Sequence, residues 1–304
     1  MSSNGAIGGR TRPCAAIRAR LRSEVNFGCP ICRSPFLAYH HFDPPWEPRH
    51  IHHEPGMIAL CAEHHSFADG GNYPIQYLRG LKENPPQTPP NGKLPWNAPK
   101  IFISFGGNYF VTAKGKAFSL RVDGKEVFSL KESDVGYLAI NASIWNASGE
   151  LVCRIDANDI LPVTEELGDL ECSTRGKEIA ITSQGNNASL KLRYDRQTED
   201  ELIAGVIAKW PKSFSSALKT HKTANVRGFI HSALDDEGLC PVIKLRADIY
   251  AATVPVRTLG RGITADFRGL GYDKPTLTGL DAGEGGFGIV YGDTRQEKFH
   301  MGSE

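Results

Sequence analysis

The stretch that decides the fold runs from Cys29 to His65: CPICRSPFLAYHHFDPPWEPRHIHHEPGMIALCAEHH. It opens with Cys29-Pro-Ile-Cys32, two cysteines with two residues between them, which a tight turn aims at one metal ion. It closes with Cys61-Ala-Glu-His64, a soft-ligand pair at the same spacing. Together the two pairs supply a tetrahedral Cys3His set, a closed structural zinc type. A redox pair accounts for Cys29 and Cys32 but leaves Cys61 and His64 without a role. Zinc here stabilises folding, because a segment of roughly 55 residues has little core of its own.

His40, His41 and His65 remain for other work. Neighbours on a strand point to opposite sides, so His40 and His41 serve different partners, one a metal and one a water. One helical turn carries His64 and His65, facing zinc and a second metal respectively.

These elements, CPIC, HHFDP, GMIALCAEHH and the trailing ADGGNYPIQYLRGLK, resemble the zinc-stapled HNH endonucleases with their ββα-metal fold, over residues 29–83. The resemblance implies His41 as general base, His40 and His65 as ligands of a catalytic Mg2+ or Mn2+, and Cys29, Cys32, Cys61 and His64 as structural zinc ligands. It implies hydrolysis of a DNA phosphodiester to a 5′-phosphate and a 3′-hydroxyl. A His pKa near 6.5 suits the base, and a divalent cation neutralises charge on the scissile phosphate. Where the family carries a central Asn, this chain has Gly56; the loop before it holds His50, His52 and His53, and His53 is the expected substitute. Asp69, in the ADGG turn, reads as a helix end rather than as a metal ligand.

Outward from this stretch the chain changes character. Residues 1–28 form an Arg-rich arm with a short helix after Pro13. Residues 84–100 hold six prolines and read as a semi-rigid linker. From residue 101 to 304, short period-two runs such as IFISF (101–105), AFSLRV (117–122), YLAINASIW (137–145), IAITS (179–183) and ASLKLRY (188–194) alternate with Gly, Asn and Asp turns, including Asp123-Gly124. The expected class is α+β, a small nuclease-like domain followed by a larger, mostly antiparallel β domain, with a possible subdivision near residue 200. VRGFIHSAL (226–234) reads as a strand, and residues 200–220 as helix interrupted by Pro211. Gly283–Tyr291 looks like a kinase Gly-rich loop, but the lone motif reads as a turn.

Composition narrows the partners. The net charge of the 304 residues is +1. Residues 1–98 hold ten Lys and Arg against seven Asp and Glu, about +3, which leaves 25 against 27, about −2, for the rest. Seven of the ten histidines also fall in that first part. The expected partner is nucleic acid, DNA first and RNA as the alternative, with targeting left to the β-rich domain, a homodimer or a protein partner. No run approaches the roughly 18 apolar residues of a membrane span, and seven cysteines, an odd number, do not make a disulfide scaffold. A cytoplasmic location follows as the expectation, with the sequons at Asn141, Asn146 and Asn187 as idle surface turns. The competing class is a zinc-stabilised nucleic-acid-binding module that does not cut.

Overall fold

The computed structural model describes residues 12–49, 51–105, 108–113, 115, 118–122, 125–208, 227–228, 230–231, 233–251, 254–259, 262–266, 281–282 and 298–302. The chain is a mixed α/β protein with few helices and a large, curled, mainly antiparallel sheet. It divides into two units: residues 1–92 with 169–175, and residues 93–168 with 176–304.

In the first unit the order is α1 (Ala15–Ser23), β1 (Leu37–His41), a kinked single turn α2 (Trp46–Arg49), β2 (Met57–Cys61), α3 (Ala62–Asp69) and α4 (Ile75–Glu83). β1 and β2 pair antiparallel, with Tyr39 opposite Ala59 and His40 opposite Ile58. Every residue of β2 is buried, which explains its unbroken apolar run Met-Ile-Ala-Leu-Cys: a strand covered on both faces does not alternate. α1 and α3 pack on this hairpin, and Leu21, Val25, Leu37, Met57, Leu60 and Leu78 form the centre of the core. α2 kinks at Glu47 (φ −96°, ψ 139°), because the following Pro48 disfavours helical backbone before it. α4 starts after Pro74 and turns Leu78 inward, with Leu81 against the same core.

One part of this unit comes from far along the chain. Residues 169–175 group with it, and Cys172 bridges Phe36, just ahead of β1, in parallel. Arg12 and Arg18 pair with Glu171, and Arg22 pairs with Asp169. Within the Arg-rich arm, Arg18 and Arg22 are turned inward onto these carboxylates, and the Arg22 side chain is only 3% exposed.

The Pro-rich stretch 84–100, read from the sequence as a semi-rigid linker, is held by contacts at both of its ends. Its first part is tied down within the first unit: Asn26 donates to the Pro86 carbonyl, Arg33 to that of Thr88, and the Asn91 N–H to that of Arg33. Its later residues Leu94, Trp96 and Ala98 are buried in the second unit. The division falls at β3 (Gly92–Lys93).

In the second unit the sheet contains β4 (Lys100–Phe105), β5 (Asn108–Ala113), β6 (Phe118–Val122), β7 (Lys125–Glu132), β8 (Leu138–Trp145), β9 (Leu151–Asp156) and β10 (Asp159–Pro162). After β11 (Leu167–Cys172) follow β12 (Glu178–Ser183), β13 (Ser189–Thr198), β14 (Leu239–Ala251), β15 (Val254–Leu259), β16 (Gly262–Asp266), β17 (Asp281–Ala282) and β18 (Lys298–Gly302). The strand β14 organises the sheet. It pairs antiparallel with β13 over ten residues, parallel with β4, and antiparallel with β15. The period-two reading holds where one face is buried: in β12, Ile179, Ile181 and Ser183 point inward and alternate with half-exposed residues. Phe105, Phe110, Phe118 and Phe128 pack in succession through this core, with ring centroids 5.0–6.2 Å apart. α5 (Glu199–Ala208) sets Leu202 and Ile203 against Phe102 and Val242.

Two expectations change here. Within the predicted strand 226–234, residues 227–228 and 230–231 are helical. Asn146 is no idle surface turn: it is buried and its side chain bonds Glu150 and Glu166. Asp123-Gly124 and Gly283–Tyr291 lie outside the described residues.

Candidate metal centre

Two clusters flank the start of α3. In the first, one ligand atom each from Cys29, Cys32, Cys61 and His64 lies within 4.8 Å of all the others. Cys32 Sγ is 3.6 Å from Cys61 Sγ, and His64 Nδ1 is 3.7 Å from Cys29 Sγ and 3.0 Å from Cys61 Sγ. A tetrahedron with zinc–sulfur bonds of about 2.3 Å has sulfur–sulfur edges of about 3.8 Å, so the cluster has the size that zinc requires. The chemistry agrees. Burial, with the neighbouring thiols adding to it, pushes the Cys61 thiol up to about 12, and burial raises that of Cys32. Crowded thiols of this kind become ligands when a cation takes up their charge. The fold places them simply: the Cys29–Cys32 turn is closed by the Arg33 N–H on the Cys29 carbonyl, and Cys61 caps α3, so that His64 stands in its first turn.

The second cluster contains His40, His65 and Asp69, with ligand atoms again within 4.8 Å of one another. Asp69 bridges the two imidazoles: Oδ1 is 3.1 Å from His40 Nδ1 and Oδ2 is 3.2 Å from His65 Nδ1. Adjacent ligands of a six-coordinate cation with bonds of about 2.1 Å stand about 3 Å apart, so this spacing suits one. His65 Nε2 lies 3.4 Å from the Tyr39 carbonyl oxygen, a placement of the second ring nitrogen that metal-binding histidines commonly show. The helix places Asp69 here, one turn beyond His65 at i+4. The sequence reading assigned Asp69 to the helix end alone. It is the last residue of α3 and also the carboxylate of this cluster; the i,i+4 spacing of His65 and Asp69 was the available signal.

His40 is nearly buried, whereas Asp69 is 40% exposed, so the cluster opens on its carboxylate side. That side is a cleft of about 400 Å³ lined by His40, His41, Trp46, Asp69, Tyr73 and Ile75 among others. His41 is thus beside the cluster and outside it. Its Nε2 is 3.0 Å from His52 Nδ1, and the His41 and His52 rings each lie 5.0 Å from the Trp46 ring.

The loop between β1 and β2 differs from the expectation. The exposed His53 lines a separate cleft with Glu54, Arg79 and Lys82, and His52 is the loop residue that reaches His41. Gly56 has its own reason. Its carbonyl accepts from the Phe42 and Asp43 N–H groups at 2.9 and 3.1 Å, and a Cβ at this position would stand 1.5 Å from the Asp43 carbonyl oxygen. The ends of the loop are therefore joined backbone to backbone, and an Asn cannot occupy the position.

Of the other cysteines, Cys153, Cys172 and Cys240 are buried singly. Burial pushes the thiols of Cys153 and Cys240 up to about 12, which makes them core residues rather than nucleophiles. Among the described residues no helix is long and apolar enough to cross a membrane. Compared with protein-family models, with curated proteins and with solved structures, the chain gives no match in any of the three; the two clusters are compatible with the resemblance read from the motifs.

Proposed function

We propose that the chain is a metal-dependent endonuclease of the HNH type that hydrolyses DNA phosphodiester bonds. The observation that carries this reading is the His40, His65 and Asp69 cluster opening into the same cleft as His41. In this reading the hairpin β1–β2 and α3 act as a ββα-metal unit stapled by zinc on Cys29, Cys32, Cys61 and His64. The catalytic cation, Mn2+ or Mg2+, supplies charge neutralisation at the scissile phosphate and the leaving oxygen. A donor set of two imidazoles and one carboxylate favours Mn2+ over Mg2+.

His41 takes the proton of the attacking water, and the bond to the 3′ oxygen breaks as the new phosphorus–oxygen bond forms. His52, at His41 Nε2, and the Trp46 ring restrain the His41 ring against rotation. The leaving 3′ oxygen takes a proton from solvent, so the products are a 5′-phosphate and a 3′-hydroxyl. A single site of this kind nicks one strand, and the β-rich unit recognises the target or a partner.

The test is nicking of supercoiled plasmid by the full chain with Mn2+ or Mg2+, beside a labelled RNA of the same sequence. Nicking that disappears in His41→Ala with zinc content intact supports the reading. Binding without cleavage of either nucleic acid under every cation sinks it, and cleavage of RNA alone replaces the substrate.

A further inference from the structure

The second cluster has a support that arrives from residues 169–172. Arg22, on the last turn of α1, directs its guanidinium at Asp169 as a fork, with Nε 2.8 Å from Oδ1 and Nη2 2.5 Å from Oδ2. Its remaining nitrogen, Nη1, donates to the Tyr39 hydroxyl at 2.5 Å and lies 3.4 Å from Glu171. Burial opposes the charge of Arg22, and the hydrogen bonds and charge of Asp169 outweigh that, so it is held firmly protonated. A bidentate guanidinium–carboxylate pair fixes direction as well as distance.

Tyr39 is the link to the site. It sits in β1 next to His40, and its carbonyl oxygen faces His65 Nε2. The Tyr39 side chain is thus held at its hydroxyl by Arg22, and its backbone meets one ligand and adjoins another. The Phe36–Cys172 bridge fixes the same segment beside the entry to β1. None of these residues touches the cleft that holds His41.

We propose that Arg22 and Asp169 are positioning residues of the His40, His65 and Asp69 cluster, acting through Tyr39. The inference rests on reading that cluster as a cation site, and it does not depend on what the site cuts. Residues beyond the direct ligands commonly change metal affinity or activity by about 10–100-fold. A segment some 130 residues downstream of β1 in the sequence is then part of the site, and an isolated 1–98 fragment lacks it.

The experiment uses the full chain with zinc bound and two mild substitutions. Tyr39→Phe deletes one hydroxyl. Asp169→Asn keeps an acceptor for Arg22 and removes the charge. Mn2+ affinity is measured by electron paramagnetic resonance without nucleic acid, with zinc content and melting temperature on the same samples and plasmid nicking in parallel. The expected result is Mn2+ affinity lowered about 10-fold in both variants, with zinc content unchanged in both, melting temperature unchanged in Tyr39→Phe, and kcat for nicking reduced at constant KM. Wild-type Mn2+ affinity in Tyr39→Phe overturns the proposal. So does a parallel loss of zinc and of melting temperature in both variants, which assigns the network to folding alone. Weakened Mn2+ binding with no cleavage by any form, wild type included, upholds the positioning role and sinks the endonuclease reading.

Discussion

His64 and His65 are neighbours on one turn of α3, yet they belong to different kinds of site. His64 joins three sulfur atoms in a cluster that uses all four of its donors on one another's centre. His65 joins one buried imidazole and one carboxylate that is 40% exposed, beside a cleft. A closed four-donor site holds structure, whereas a site with fewer protein donors and an open side leaves room for water and substrate. The difference between the two clusters therefore lies in donor number and in access, and their shared helix couples them: the first orients α3, and α3 orients the second.

The strongest way to break this comparison is to remove the closed cluster. Structural zinc contributes on the order of 10 kcal/mol of apparent binding free energy to small domains, comparable with the whole stability of a domain. Cys61→Ala, or a strong chelator, is expected to unfold the first unit and to abolish binding at both clusters. Hydrogen exchange resolved along the chain checks it: protection is expected to vanish in β1, β2 and α3 while β13 and β14 keep theirs.

In the proposed endonuclease reading, the open cluster and His41 give the next effect, on function and not on folding. His41→Ala is expected to lower nicking by about 10²–10⁴-fold, the usual contribution of a general base. Zinc content and Mn2+ binding stay, because His41 lies outside both donor sets. Asp69→Ala lowers nicking to a similar degree but loses Mn2+ binding as well. If both variants behave alike toward Mn2+, the separation of base from ligands is wrong.

Gly56→Ala tests how the loop between the two strands is closed. The added Cβ meets the Asp43 carbonyl, so backbone must shift, and overpacking of this order costs about 1–3 kcal/mol. Urea unfolding of the purified variant measures it. A wild-type midpoint in urea would show that Phe42 and Asp43 do not depend on this approach.

How far the sequence carried depended on the range of the interaction. The Cys3His cluster was legible because its ligands come in x2 pairs on a turn and on a helix start. β6, β8, β12 and β13 were legible because one face of each is buried, which writes period two into the residues. β10 was not, because Asp159–Pro162 is too short to carry a pattern. Asp69 lay within reach, four residues from His65, but its turn chemistry was the stronger local signal. Arg22 with Asp169 was beyond reach: a pairing across 147 residues leaves no periodicity or spacing in either segment. The same holds for the packing of Leu94, Trp96 and Ala98, whose prolines describe the local backbone and say nothing of what covers it.

The smallest expected effect separates two loop histidines, of which the sequence reading chose His53. His52 Nδ1 is 3.0 Å from His41 Nε2 and shares the Trp46 ring with it, whereas the exposed His53 lies on the other cleft. His41 is also packed on Trp46 directly, so losing His52 loosens the ring without releasing it. His52→Ala is therefore expected to lower kcat for nicking about 10-fold, on the order of 1.4 kcal/mol at the transition state, with KM unchanged. His52→Asn, which keeps a polar partner for the His41 nitrogen, is expected to recover part of that loss, and His53→Ala to cost nothing measurable. A larger effect at His53 than at His52 would move the support of the base to the other side of the loop.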